Sequence, residues 1–168
     1  MRFKLLVGVA ALALAGCNVQ KASTTNEPAQ TGSSGPLSQA DAEKIVATAE
    51  GAWSSNRIET VMANYADGAV VFDTSTLSAT TDRNVQARGN AAFLTMKPAD
   101  FRVDPRHVQL LDDDTIVASG VLSFTANVGT ARPVLKTRYT HVYQREPDRS
   151  FKIVHEHMSW PPPGTGTP

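Results

Sequence analysis

Three of the chain's four histidines fall within 25 residues of its C-terminal part. His155 and His157 are one residue apart, and His141 lies on the preceding apolar run, before a Pro-Asp pair. Imidazole titrates near neutral pH and is a common metal ligand, so such a cluster has three readings. As packing, the rings are neutral and bonded to Tyr or Ser hydroxyls around a largely apolar pocket. As catalysis, His141 or His155 exchanges a proton with substrate, with Asp73 as partner. As a metal site, His155 and His157 join His141 in a three-histidine set with an open position, although His-x-His alone is a weak signal. The sequence points to no cofactor, and we expect no resident metal. Neither a P-loop, a dinucleotide fingerprint nor a Ser-His-Asp spacing is present.

Side chains alternate across a strand. Tyr139, His141 and Tyr143 therefore share one face, and Phe151, Ile153, His155, His157 and Ser159 share a face of the next strand. A turn near Pro147 brings His141 beside His155, and a one-residue slip separates them. Glu156 then points away from the pocket, solvated or paired. Trp53 and Tyr65 read as core or pocket wall. Asp73, at a strand end, is either a base or a turn cap. His107 has no companions and reads as an ordinary strand residue.

The elements that carry these residues follow from local patterns. Ser38 caps a helix, Asp41 completes a capping box, and Leu37 staples back onto the first turn. Ile45, Ala49 and Trp53 continue it as a stripe of fourfold spacing. Asn56 and Glu59 repeat the box, and Ile58, Val61, Met62 and Tyr65 mark a second helix ended by Asp67-Gly68. Residues 69–72 form a short strand. Residues 74–88, rich in hydroxyls and without a period, form a loop or lid. A short helix over 89–96 stops before Pro98. Strand patterns cover 101–111, 115–127, 134–145 and 151–160, with turns at Asp112-Asp113-Asp114 and Pro147-Asp148. The order implies an α+β domain, a curved antiparallel sheet with helices on its concave face.

The front of the chain has a different character. Arg2 and Lys4 precede an apolar run from Leu5 to Leu14, then small residues, the layout of a secretory signal over residues 1–16. Leu14-Ala15-Gly16-Cys17 resembles the bacterial lipobox, and Cys17 is the only cysteine. That resemblance implies an acylated Cys17 anchoring the chain to a membrane, facing the periplasm. Asn18 after the cysteine favours the outer membrane. Residues 17–36 read as a lipidated flexible tether and 161–168 as a disordered tail, leaving 37–160 as the domain. Formal charge is balanced at +0 and no basic cluster stands on any predicted element, which argues against nucleic acid.

Several segments resemble a known family. The helix pair around Trp53 and Tyr65, the run NYADGAVVFD, and the hairpin TRYTHVYQRE…FKIVHEHMS are similar to the SnoaL-like and association-domain branch of the nuclear-transport-factor-2-like superfamily. The resemblance implies a cone-shaped fold, a pocket between sheet and helices that takes a small molecule, and a homodimer. It also implies that Trp53, Tyr65, Tyr139, His141, His155, His157 and Ser159 line that pocket. Some relatives are isomerases or cyclases, others plain binding modules. The ι-class carbonic anhydrases share a Phe93-Leu94-x-x-Lys97-Pro98 run, an RYT-x-VY strand and a final HHHSS motif. Here His155, His157 and Ser159 match that motif, Glu156 and Met158 do not, and Gly89 stands where those enzymes carry a tyrosine.

Overall fold

The structure, a computed structural model, describes residues 36–162. The expected signal peptide, lipidated Cys17 and nearly all of the tether lie outside the described residues, as does the tail from 163. Helix α1 spans Gln39–Gly51 and starts as its sequence dictates. Ser38 Oγ accepts from the Asp41 N–H at 3.1 Å while Asp41 accepts from the Ser38 N–H at 3.3 Å. Ala42, Val46 and Ala49 form its buried stripe. The helix tightens into a 3-10 turn over Ala52–Ser55, which carries Trp53.

The second capping box does not form. Asn56 takes a left-handed conformation (φ 52°), which its short polar side chain tolerates, and ends the turn. Its Nδ2 donates to the Pro98 carbonyl at 3.3 Å. Helix α2, Ile58–Met62, is correspondingly short. Tyr65 opens strand β1, Tyr65–Phe72, instead of closing a helix. Helix α3 covers Arg83–Leu94, six residues earlier than expected at its start. Asp82 caps it, accepting from Asn84 N–H at 2.8 Å. Its anchor is polar and therefore gave no apolar period: buried Gln86 donates to the Ala69 carbonyl at 2.7 Å. Arg83 reinforces this junction by donating to the carbonyls of Met62 and Tyr65 at 2.9 and 3.1 Å.

Strands β2 (Ala99–Asp112), β3 (Thr115–Thr125), β4 (Val134–Arg145) and β5 (Phe151–Ser159) follow as the alternation predicts. The fold is α+β, with three helices and a five-stranded sheet in the order β1-β5-β4-β3-β2. The sheet is mixed, not wholly antiparallel, because β1 pairs parallel with β5. Only a long crossover can join parallel neighbours, and here that crossover is α3 with the whole meander. The core lies between the inner face of β3, β4 and β5 and the helices, with Ile116 and Tyr143 of the sheet and Val46 and Val61 of α1 and α2 fully buried. Gly120 is required there. A Cβ at that position would lie 2.3 Å from the Pro105 carbonyl oxygen and 3.1 Å from the Tyr139 ring.

One irregularity decides the site. Tyr143 pairs with Ile153, but Val142 pairs with His155. Val154 is thus an extra residue facing no partner, a β-bulge. Beyond it the alternation of β5 is inverted. His141 stands opposite Glu156, Tyr139 opposite Met158, and Thr140 opposite His157.

Candidate functional site

The inner face of β4 presents Thr137, Tyr139, His141 and Tyr143, all buried. The bulge delivers Glu156 to the same face, where it is 3% exposed. Its Oε2 accepts from the Tyr65 hydroxyl at 2.6 Å, and His141 Nε2 lies 2.9 Å away. No hydrogen bond forms through Nε2, and the contact is an ion pair only when the ring is protonated. His141 Nδ1 sits 3.3 Å from the Tyr143 hydroxyl, and its ring packs against Tyr139 with centroids 4.7 Å apart. Burial first, then the charge of Glu156, pushes the Tyr65 phenol well above its ordinary range. Tyr143 is raised by burial and then by the charge of Glu50.

A second acid stands nearby on α1. Glu50 accepts from the Tyr139 hydroxyl and from Arg106, each at 2.5 Å. Burial, reinforced by the Glu50 hydrogen bond, raises Tyr139 as well. Tyr139 and His141 line a small void of about 10 Å³, walled by Trp53, Leu122 and Met158.

Across that wall lies a cavity of about 340 Å³ between the sheet and α3. Trp53, Phe93, Phe124, Leu122, Met96 and Met158 provide its apolar surface. Trp53 meets Phe93 edge-to-face (5.3 Å, 90°), and Phe93 meets Phe124 likewise (5.0 Å, 83°). Polar groups enter at few points: Glu156, Thr137 and Asn90 among them, with Asp73 where β1 ends. Asp73 is also a turn cap, its Oδ1 accepting from the backbone N–H and hydroxyl of Ser75 at 2.6 Å.

Among the residues expected at the pocket, Trp53 and Asp73 line the cavity. Tyr65, Tyr139 and His141 stand behind it as the polar network around Glu156 and Glu50. The expectation that His155, His157 and Ser159 share the inner face is overturned by the bulge. His157 is exposed, and both rings pack beside Phe72, with centroids 6.2 and 5.8 Å from it. Ser159 pairs with exposed Arg138. The three histidines therefore do not converge, and His155 is not placed to act with Asp73 in the cavity. Among the described residues no group of three His, Cys, Asp or Glu side chains is arranged to hold a metal.

Glu156 is the residue that alternation misplaced, and Glu50, Thr137 and Asn90 escaped notice altogether. An acid among alternating strand residues reads as solvent-facing unless the bulge is known. The aromatic wall at Phe93 and Phe124 had a weak signal, the Phe-Leu run before Lys97-Pro98.

Known structures share this architecture. An association domain of the calcium/calmodulin-dependent protein kinase II type, assigned in Xanthomonas campestris, is 28% identical (TM-score 0.64). That alignment covers 72% of this chain and 86% of the other. A protein from Pseudomonas putida KT2440, of nuclear-transport-factor-2-like fold and unknown function, is 19% identical (TM-score 0.63, 78% and 93% covered). A protein assigned as a ketosteroid isomerase, from Parabacteroides distasonis ATCC 8503, is 20% identical (TM-score 0.60, 73% and 89% covered). No curated protein matches the sequence. The fold is that of the nuclear-transport-factor-2-like proteins, and the match of residues 43–163 to the SnoaL-like domain places this chain in that family.

Proposed function

We propose that the chain binds a small, mainly apolar molecule in the cavity between its sheet and α3, held at the cell envelope by a lipid on Cys17. The cavity carries the first half of this reading. Its volume of about 340 Å³, its aromatic and thioether walls and its few polar groups are those of a ligand site. Among the described residues no helix is long and apolar enough to cross a membrane. The anchor rests on the lipobox-like Leu14-Ala15-Gly16-Cys17 and on the position of the one cysteine. Outer-membrane attachment facing the periplasm, and pairing of two copies, belong to the same proposal.

An apolar fluorescent dye titrated into the protein tests the pocket. Ala92→Trp places a large ring at an exposed helix position that borders the cavity, with small risk to the core. Wild type is expected to bind the dye and the variant to lose most of that affinity while melting at the same temperature. Equal binding by both proteins refutes the pocket. Anchoring is tested by fractionating cells that express Cys17→Ser, which should leave the membrane fraction. Sedimentation of the soluble form tests pairing.

A second reading, acid–base catalysis on a small molecule of isomerase or cyclase type, is favoured by one observation. Two carboxylates, Asp73 and Glu156, border the same cavity. Glu156 takes the role that the sequence had given to His155, and His141 acts through it. The residues matching the carbonic-anhydrase motif, His155, His157 and Ser159, lie on the other face of the sheet, so the site does not favour that activity.

A further inference from the structure

We infer that the cavity is built for an organic cation: a protonated or quaternary amine on an apolar body. The inference rests on the binding reading above and narrows it to one ligand class.

Charge is the first reason. Among the described residues, Asp73 and Glu156 are the charged ones bordering the cavity, and no Lys, Arg or His lines it. His141 approaches Glu156 through Oε2, the oxygen that also accepts from Tyr65, and stands outside the lining. Tyr65 and His141 both meet Oε2 and not Oε1. An anion would meet like charge in an apolar enclosure. A purely apolar ligand would strip water from the carboxylate and offer nothing in return. A cation offsets both costs at once, because charge attraction strengthens as water leaves.

The walls give a second, independent reason. Phe93 meets Trp53 on one side and Phe124 on the other at close to right angles, so the cavity has an aromatic corner. Ring faces carry negative potential, and cations sit over them favourably, most of all over Trp. Thr137 adds a third feature. Its Oγ1 is buried without a partner among the described residues, and the residue lines the cavity. A protonated amine would give that oxygen the hydrogen bond it lacks once the hydroxyl turns into the cavity, whereas a quaternary amine, with no N–H, gains nothing from it.

The test uses four probes that share one phenylbutyl body: the primary amine, its trimethylammonium derivative, the alcohol and the carboxylic acid. Calorimetric titration at neutral pH compares them on wild type, Asp73→Asn, Glu156→Gln and the double variant. Glutamine retains an acceptor for Tyr65, and asparagine retains one for Ser75. The expected result is that both cations bind wild type about tenfold or more tighter than the alcohol, with the acid weakest. Each single variant should narrow that preference and the double variant should abolish it. If Glu156→Gln does not fold, Asp73→Asn and the wild-type ranking still decide. Alcohol binding as tightly as amine, or a cation preference that survives loss of both charges, overturns the inference while leaving the pocket intact. Failure of all four probes together with the dye removes the pocket itself, and the inference with it.

Discussion

Replacing Tyr65 with Phe removes one oxygen from the centre of the buried network. That hydroxyl donates to Glu156 at 2.6 Å, with Tyr65 and Glu156 each 3% exposed. Water cannot readily replace the lost donor at such a site. A hydrogen bond to a charged group contributes ~1.5–3 kcal/mol, and leaving the buried acceptor short costs a similar amount. We expect a loss of about 2 kcal/mol, which in a domain of this size lowers Tm by roughly 6–10 °C. A double-mutant cycle isolates the charged part. In a Glu156→Gln background the same change removes a neutral hydrogen bond, so its cost should fall to about 1 kcal/mol, a coupling of ~1 kcal/mol. Urea denaturation of the four proteins at neutral pH measures all the terms. A Tyr65→Phe cost below ~0.5 kcal/mol, or an equal cost in both backgrounds, would refute the view that Tyr65 holds a charged Glu156.

Alkaline titration offers a second check. The chain has three tyrosines, Tyr65, Tyr139 and Tyr143, and burial is the leading cause of a raised pKa in all of them. A raised folded-state pKa means the stability contribution is whole below the ordinary value of 10.0 and drains away as pH climbs towards the folded value. Phenolate absorbance should therefore stay low just above pH 10 and then appear together with loss of structure; gradual ionisation in the folded protein would contradict the buried placement. Gly120→Ala should cost about 1–3 kcal/mol in denaturant, because the methyl meets a backbone oxygen and a tyrosine ring with no room to yield. Near wild-type stability there would show that β2 can move away. His155→Ala and His157→Ala should leave dye affinity within about twofold, under 0.5 kcal/mol, since both rings lie across the sheet from the cavity. A large loss of binding in either variant would return them to the site.

Local rules make much of the fold legible in the sequence alone. The Ser38–Asp41 box needs only four consecutive residues, and it forms as read. Strands β3 to β5 announce themselves because alternation over about ten residues, bounded by turn residues, has few other solutions. Shared segments carried the family resemblance, since helix pair, strand and hairpin recur as units. Where interactions are distant in sequence, the reading stopped. Helix α3 begins at Arg83 because Asp82 caps it and Gln86 reaches across to Ala69, contacts with no apolar period to reveal them. The parallel pairing of β1 with β5 joins segments about 85 residues apart, beyond any local pattern. Most consequentially, one unpaired residue, Val154, exchanges the faces of His155 and Glu156. Period-2 alternation carries no memory of a bulge, so every assignment downstream of it inverts at once. The sequence could supply the acids, tyrosines, histidines and aromatic rings; strand register decided that Glu156, and not His155 or His157, would meet Tyr65, His141 and the cavity.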